Sequence, residues 1–207
     1  MKPIHLIPLG LSNGSGQGLS VSPRINDLEH LAASLVRSFQ TSCQIRPETL
    51  DVSFALDAGR QQYYSTAIIQ RLERMTDPDA RVLGVTACDL FVPVLTFVFG
   101  EAQLDGNCAV VSTARLGEEF YGLPARADLL RERLVKEAAH ELGHTFGLRH
   151  CADWRCVMAS SHAVERLDVK GADFCAPCFK GSLRWPGSPG RHDPPRLNRK
   201  GLRSVTA

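Results

Sequence analysis

The sequence His140-Glu141-Leu142-Gly143-His144-Thr145-Phe146-Gly147-Leu148-Arg149-His150 follows the pattern HExxHxxGxxH. On an α-helix, residues four apart lie about 40° apart around the axis, so His140 and His144 can bind one metal ion together. Gly147 can end the helix in a left-handed cap, which lets the chain turn back and bring His150 to the same ion. Three histidine ligands leave the fourth tetrahedral position open to water, as in catalytic rather than structural zinc sites.

Glu141 lies next to the first of these histidines, where it can accept a proton from an attacking water without binding the metal. The pattern therefore predicts zinc-assisted hydrolysis of an amide bond, with Glu141 as the general base. The alternative is an amphipathic helix whose histidines occur by chance. The glycine and the third histidine make that coincidence roughly a thousandfold rarer than for HExxH alone, so we favour the zinc site.

Four cysteines follow in two pairs, Cys151 with Cys156 and Cys175 with Cys178. This spacing suits tetrahedral coordination of zinc by thiolates, and four thiolates leave no position for a substrate. We therefore predict a structural zinc ion that stabilises a short polar segment. Two disulfides, or four unrelated thiols, are the alternatives. Because Cys151 directly follows His150, the same cluster would help to place the third histidine.

The string HExxHxxGxxHCx4CxM, followed by CxxC, resembles the archaemetzincin family of zinc metallopeptidases over residues 136–178. The resemblance implies a catalytic zinc on the three histidines and a second zinc on the four cysteines, hence two zinc ions per chain. It also implies that Met158 forms the methionine turn beneath the catalytic zinc. The implied fold is a twisted mixed sheet with packed helices, a long active-site helix and a small zinc-stabilised C-terminal subdomain.

Metzincins bind an extended peptide antiparallel to an edge strand, and the resemblance implies that this strand lies within residues 95–102. One position departs from the pattern of some metzincins, which place a tyrosine two residues after the turn methionine to help stabilise the transition state. This chain has Ser160 there, so that aid is absent or replaced. Carbonyls or carboxylates should hold the imidazoles in place. The sequence does not select among the nearby carboxylates of Asp153, Glu165, Asp168 and Asp173.

The residues before the motif predict strands that alternate with helices, which is typical of an α/β fold with a mixed sheet. We expect strands at 4–9, 43–50, 81–86, 95–102 and 108–113, a flexible loop at 10–20, and helices at 22–39, 58–75 and 124–146. One metallopeptidase domain would span residues 1–180. It would divide into a sheet-and-helix part at 1–147 and a zinc-bearing part at 148–180.

The composition is that of a soluble globular protein, with 43% hydrophobic and 22% charged residues and a formal net charge of +2. The most apolar stretch, at 90–99, has about half the length that a membrane span requires. The N-terminus lacks the pattern of a secretory signal, and seven cysteines, an odd number, fit a reducing compartment. We therefore expect a cytoplasmic protein that acts as a monomer on a peptide or protein substrate.

Residues 181–207 contain six lysines and arginines against one aspartate, and four prolines without an apolar period. We expect a disordered basic tail. A nucleic-acid-binding protein that uses this tail and the cysteines is one alternative function, but the basic residues are not interleaved with stacking aromatics apart from Trp185. The other alternative is a zinc-stabilised peptide- or protein-binding module with little or no proteolysis. An intact Glu141 argues against that module.

Overall fold

The computed structural model describes residues 2–12, 19–183 and 204–206. The strands are β1 (Ile4–Ser12), β2 (Leu19–Val21), β3 (Cys43–Ile45), β4 (Leu50–Asp51), β5 (Leu56–Asp57), β6 (Gln62–Tyr64), β7 (Arg81–Thr86), β8 (Leu90–Phe91), β9 (Gly100–Gln103), β10 (Cys108–Ser112) and β11 (Ser204–Thr206). The helices are α1 (Ile25–Phe39), α2 (Ser65–Met75), α3 (Ala127–Thr145), α4 (Val164–Val169) and α5 (Ala176–Leu183). Strands and helices alternate before α3, as the sequence predicts.

The main sheet is mixed, with the strand order β11-β9-β10-β7-β1-β2, and β3 and β4 also pair with β1. The central strands β1, β7 and β10 are parallel to one another. Strand β9 runs antiparallel to β10, and β11 runs antiparallel to β9. A second sheet has the order β5-β6-β8. The predicted fold class, α/β with a mixed sheet and packed helices, is confirmed.

Helices cover both faces of the main sheet. In β1, Ile4 and Leu6 pack with α1 and α3, whereas Ile7 and Leu9 pack with α2. This alternation follows from the two-residue period of a strand. All six residues of β7 are buried, which explains why this strand reads as a continuous apolar run rather than as an alternating one. The core therefore lies in two layers, and the motif helix α3 belongs to the layer shared with α1.

The predicted start of the second helix is wrong. Helix α2 begins at Ser65 rather than near residue 58. Gln61 adopts a left-handed conformation with φ of 55°, which interrupts a helix, and Gln62–Tyr64 pair as β6. The tyrosines that matched a helical period therefore lie in a strand or at its end.

The strand predicted at 95–102 is also shorter than expected, since β9 begins only at Gly100. The preceding carbonyls of Leu95 and Thr96 accept hydrogen bonds from the Arg60 guanidinium, at 2.7 and 3.0 Å, instead of a strand partner. Likewise, the strand predicted at 43–50 is split into β3 and β4 around Pro47. Proline cannot donate to a ladder, so this break follows from its chemistry.

Helix α3 is buried along most of its length, because every residue from Arg133 to Thr145 is buried. Its C-terminal end is held by the turn between β9 and β10. The backbone N–H of Asp105 donates to the carbonyl of His144 at 2.9 Å, and the Arg81 guanidinium donates to the carbonyl of Thr145 at 2.6 Å. These bonds satisfy carbonyls that a helix end leaves without partners, and they fix the helix where the motif turns.

Residues 148–183 follow the turn at Gly147 and contain α4 and α5. The tail expected to be disordered falls mostly outside the described residues. Within it, residues 181–183 complete α5, and Ser204–Thr206 pair through their backbones with β9 as β11. Of the loop expected at 10–20, residues 13–18 lie outside the described part of the chain, whereas the flanking residues belong to β1 and β2.

Candidate active site and neighbouring cysteine cluster

The structure brings the three predicted histidines together. His140 and His144 lie one turn apart on α3, both 0% exposed, with ring centroids 4.6 Å apart. Gly147 adopts φ of +80°, the left-handed cap that the sequence predicts, and the chain then returns to place the exposed His150 beside them. Its ring centroid lies 5.3 Å from that of His140 and 5.1 Å from that of His144. One nitrogen from each ring can be chosen so that all lie within 4.8 Å of one another.

Backbone carbonyls orient the two helical imidazoles. His140 Nδ1 lies 2.8 Å from the carbonyl oxygen of Val157, and His144 Nδ1 lies 2.8 Å from that of Leu148. Because a carbonyl can only accept, each Nδ1 carries the proton and donates it. The Nε2 atoms therefore keep their lone pairs, and they lie 3.1 Å apart. The sequence did not decide whether carbonyls or carboxylates orient the imidazoles. For His140 and His144 the partners are backbone carbonyls.

Burial keeps the imidazoles neutral, which is the form that binds metal. It lowers the pKa of His144 to about 4 and the pKa of His140 well below its usual value. Burial also lowers the pKa of His150. At neutral pH a metal ion therefore does not compete with protons for these nitrogens. The donor set, three neutral imidazoles with nitrogens facing one point, fits a zinc ion.

Glu141 is 0% exposed and lies between α3 and β9. A Cβ atom added to Gly100 would lie 2.6 Å from Glu141 Cγ, so the absence of a side chain there makes room for the carboxylate. Burial raises the pKa of Glu141 well above its usual value, and the carboxylates of Glu137 and Glu101 raise it further. Neither oxygen of Glu141 has a hydrogen-bond partner among the described residues. The carboxylate is therefore a stronger base than an exposed one, and its oxygens are available to accept a proton.

Met158, for which the resemblance implies a methionine turn, is fully buried. Its Sδ packs so closely on the active-site helix that a Cβ added to Gly143 would overlap it. The segment around Met158 is tied to the cysteine cluster, because the Met158 carbonyl accepts the Cys151 N–H at 2.9 Å and the Met158 N–H lies 3.4 Å from Cys156 Sγ. Two residues after Met158, the Ser160 hydroxyl lies 3.2 Å from Nε2 of the exposed His162.

The four predicted cysteines also converge, with all Sγ atoms within 4.8 Å of one another. All seven cysteines of the chain are free thiols. Cys156 Sγ accepts the backbone N–H of Cys175 at 3.3 Å, and Cys151 Sγ lies 3.7 Å from Cys175 Sγ. A hydrogen bond from the backbone N–H of Cys178 is the largest cause that lowers the pKa of Cys175, whereas burial raises that of Cys156. Four thiols at these separations fit a tetrahedral zinc ion.

Two charged residues next to Glu141 and the histidine site were not predicted from the sequence. Glu137 is 0% and Lys170 3% exposed, and Lys170 Nζ lies 3.7 Å from Glu137 Oε2. A signal existed, since Glu137 lies four residues before Glu141 and must share its face of the helix. Lys170, however, comes from the end of α4, and nothing in its local sequence links it to α3.

Among the described residues, no helix combines the length and apolar character that a membrane span requires.

Comparison with known proteins assigns the chain to a family. The model of peptidase family M54 matches residues 38–183. Curated relatives include the archaemetzincin of Methanocaldococcus jannaschii, 44% identical over 67% of this chain and 75% of the relative, and that of Archaeoglobus fulgidus, 42% identical over 78% and 93%.

Solved structures agree with this assignment. The crystal structure of the Archaeoglobus fulgidus archaemetzincin, complexed with malonate, aligns with a TM-score of 0.69 at 37% identity, over 86% of this chain and 99% of that one. A zinc-dependent peptidase from Methanocorpusculum labreanum aligns with a TM-score of 0.75 at 28% identity, over 86% and 99%. The chain therefore belongs to peptidase family M54, the archaemetzincins.

Proposed function

We propose that the three-histidine site holds a zinc ion and hydrolyses peptide bonds, with Glu141 as the general base. Membership of family M54 makes the chain a zinc metallopeptidase. The observation that supports the residue roles is the pairing of three neutral, converging imidazoles with a buried carboxylate whose oxygens have no hydrogen-bond partner among the described residues. His140, His144 and His150 would hold the ion and leave a fourth position open.

A zinc ion in such a site supplies Lewis acidity, which acidifies water and polarises a peptide carbonyl. The protein contributes the rest of the chemistry. Glu141 takes the proton from the attacking water, and its raised pKa makes it a better proton acceptor than an exposed carboxylate. The same carboxyl group then gives that proton to the leaving amine. The carbonyls of Val157 and Leu148 hold His140 and His144 in the tautomer that leaves Nε2 free.

We assign a second zinc ion to Cys151, Cys156, Cys175 and Cys178, which gives two zinc ions per chain. Four thiolates complete a tetrahedral shell, so this ion would have a structural role. The four thiols belong to the segment that also contains the turn of Met158. The ion would therefore help to hold His150, which precedes Cys151, and the methionine turn in place.

The expected substrate strand corresponds to β9, whose Gly100 lies against Glu141. A peptide paired with the edge of β9 opposite β10 would pass Gly100 and so come close to Glu141. That edge carries β11, with Val205 opposite Ala102, so a peptide that pairs there must displace Ser204–Thr206.

The cytoplasmic location, the monomeric state and the lack of nucleic-acid binding stay predictions. The proposed role of four thiols as metal ligands fits a reducing compartment.

The decisive experiment measures zinc content and the cleavage of a peptide library by the full-length protein and three variants. Glu141→Gln should keep both zinc ions and lower kcat by about 10²–10⁴-fold, because only the proton transfer is lost. His144→Ala should lose one zinc ion and all activity. His30→Ala, an exposed histidine on α1, is the control and should match the wild type.

An unchanged rate in Glu141→Gln would remove Glu141 from the chemistry. If instead the zinc-loaded wild type bound library peptides without cleaving any, the alternative of a zinc-stabilised binding module would replace the peptidase for this chain.

A further inference from the structure

A buried ammonium group lies behind the three-histidine site. Lys170 follows the last residue of α4, and its side chain is 2% exposed. Its Nζ donates to the carbonyl of Ala159 at 3.2 Å and lies 3.7 Å from Glu137 Oε2. Buried lysines are rare unless they are paired, so the burial of Lys170 requires an explanation.

Glu137 is the carboxylate whose negative charge Lys170 balances. It is 0% exposed, and neither of its oxygens has a hydrogen-bond partner among the described residues. It lies one turn before Glu141, so the two carboxylates share a buried face of α3. Burial raises the pKa of Glu137, and the charge of Lys170 opposes this effect. The pair therefore places one positive charge beside two buried acids.

The other contact of Lys170 is with the methionine turn. Ala159 directly follows Met158, whose Sδ packs against Gly143 of α3. The carbonyl of Val157, just before Met158, orients His140. A side chain that holds Ala159 to Glu137 thus fixes the position of the turn relative to the helix that carries Glu141.

We propose that Lys170 is a positioning residue for the active site, because its ammonium group joins Glu137 of α3 to the carbonyl of Ala159 and holds the Met158 turn against the helix. The proposal rests on the proposed peptidase function. It differs from a general role in stability, since it requires the charge at this place rather than any bond between α3 and α4.

Lys136 supplies the matched control. It is also a buried lysine between α3 and α4, with 4% of its side chain exposed. Its Nζ bonds the carbonyls of Leu167 and Asp168, at 2.9 and 3.3 Å, and the carboxylate of Glu132, at 2.6 Å. It therefore fastens the same two helices, but its bonds go to α4 and to Glu132 rather than to the methionine turn or Glu137.

The test compares Lys170→Leu, the double variant Glu137→Leu/Lys170→Leu, and Lys136→Leu, all in the full-length protein. Lys170→Leu leaves Glu137 unpaired and should lower Tm by about 10 °C. The double variant removes both charges and should recover most of that loss, because apolar residues can replace a buried ion pair. It therefore separates positioning from stability even if Lys170→Leu fails to fold.

Two signals are measured on these proteins: kcat and KM on a cleaved peptide, and the methyl resonance of Met158 in metal-free protein. The chain has three methionines, so methyl labelling gives few signals to assign. The double variant should lose at least tenfold in kcat with KM unchanged, and its Met158 signal should shift. Lys136→Leu should retain the wild-type kcat and the wild-type Met158 signal, whatever its Tm.

A kcat within threefold of wild type in the double variant, or a Met158 signal that overlays the wild type, overturns the proposal. An equal loss of kcat in Lys136→Leu also overturns it. Failure of the proposed function is distinguishable, because an unchanged rate in Glu141→Gln would remove the general base while the methyl signal still reports on the turn.

Discussion

The histidine cluster and the cysteine cluster are adjacent in the chain at His150 and Cys151 but are built in different ways. His140 and His144 belong to a helix that is buried along most of its length, and carbonyls already orient their rings. The cysteine cluster lies on loops and on the short helix α5, and three of its four residues are only partly buried. We therefore expect packing to form most of the histidine site, and the cysteine site to depend on the ion it would bind.

The largest expected effect is that of Cys175→Ser. Losing one thiolate should release the structural zinc, lower the metal content to about one ion per chain and lower the free energy of unfolding by roughly 5 kcal/mol. Thermal unfolding and metal analysis check this. Activity should fall with stability, because Cys151 follows His150.

Cys43→Ser is the control for the chemical change. Cys43 is a partly buried thiol in β3, outside both clusters. Two zinc ions retained in Cys175→Ser, or an equal loss of stability in Cys43→Ser, would remove the difference between the two sites.

Gly143→Ala tests the contact between the helix and the segment that bears the cysteines. The new Cβ would overlap Met158 Sδ and lie 3.3 Å from Phe174 Cε1, so the methionine turn must move. Overpacking of this kind costs about 1–3 kcal/mol. We expect that loss in denaturant unfolding, together with a lower kcat. In Gly59→Ala, the new Cβ would meet only Asp57 Oδ1, at 3.3 Å, so its stability should stay within about 0.5 kcal/mol of wild type. Similar losses in both variants would contradict the close packing.

The convergence of the three histidines could be predicted because their spacing is local. In HExxHxxGxxH, a helix period and one glycine cap determine where the rings go, and the left-handed Gly147 agrees with that reasoning. The same holds for β7, predicted at 81–86 and observed at Arg81–Thr86, because a short apolar run buried on both faces has few alternatives.

The features that the sequence did not predict depend on contacts between segments that are distant in the chain. Lys170 meets Glu137 only because α4 packs on α3, and no local pattern encodes that contact. Leu95 and Thr96 are apolar or β-branched and favour a strand, yet Arg60 bonds their carbonyls outside the sheet. At the start of α2, a helical spacing of tyrosines coincided with a strand, so periodicity alone selected the wrong element.

Acid titration of the metal-free protein should show that the histidine site is already formed. Burial lowers the pKa of His144 to about 4, whereas the unfolded chain keeps the ordinary value near 6.5. Below pH 6.5 the unfolded state therefore binds more protons, and stability falls as the pH falls towards 4. Between pH 6.5 and 5 this histidine should account for about 2 kcal/mol. Denaturant unfolding at both pH values measures it. If His144→Gln loses as much stability as wild type over that range, the site is not formed without metal.

The smallest predicted effect comes from alanine at Gly147 or Gly122. Comparing the two variants distinguishes the cost of backbone strain from the placement of His150. Gly147 and Gly122 have nearly the same left-handed conformation, with φ of +80° and +75°. A Cβ at Gly147 would come no closer than 3.3 Å to Asp105 Oδ1, and a Cβ at Gly122 would meet nothing within 4 Å. Alanine at either position should therefore cost about 1 kcal/mol from strain alone. Only Gly147→Ala should also weaken zinc binding at the histidine site, because Gly147 sets the turn that returns His150 to the helix. Equal zinc affinity in the two variants would mean that the cysteine cluster, rather than the helix cap, decides where His150 lies.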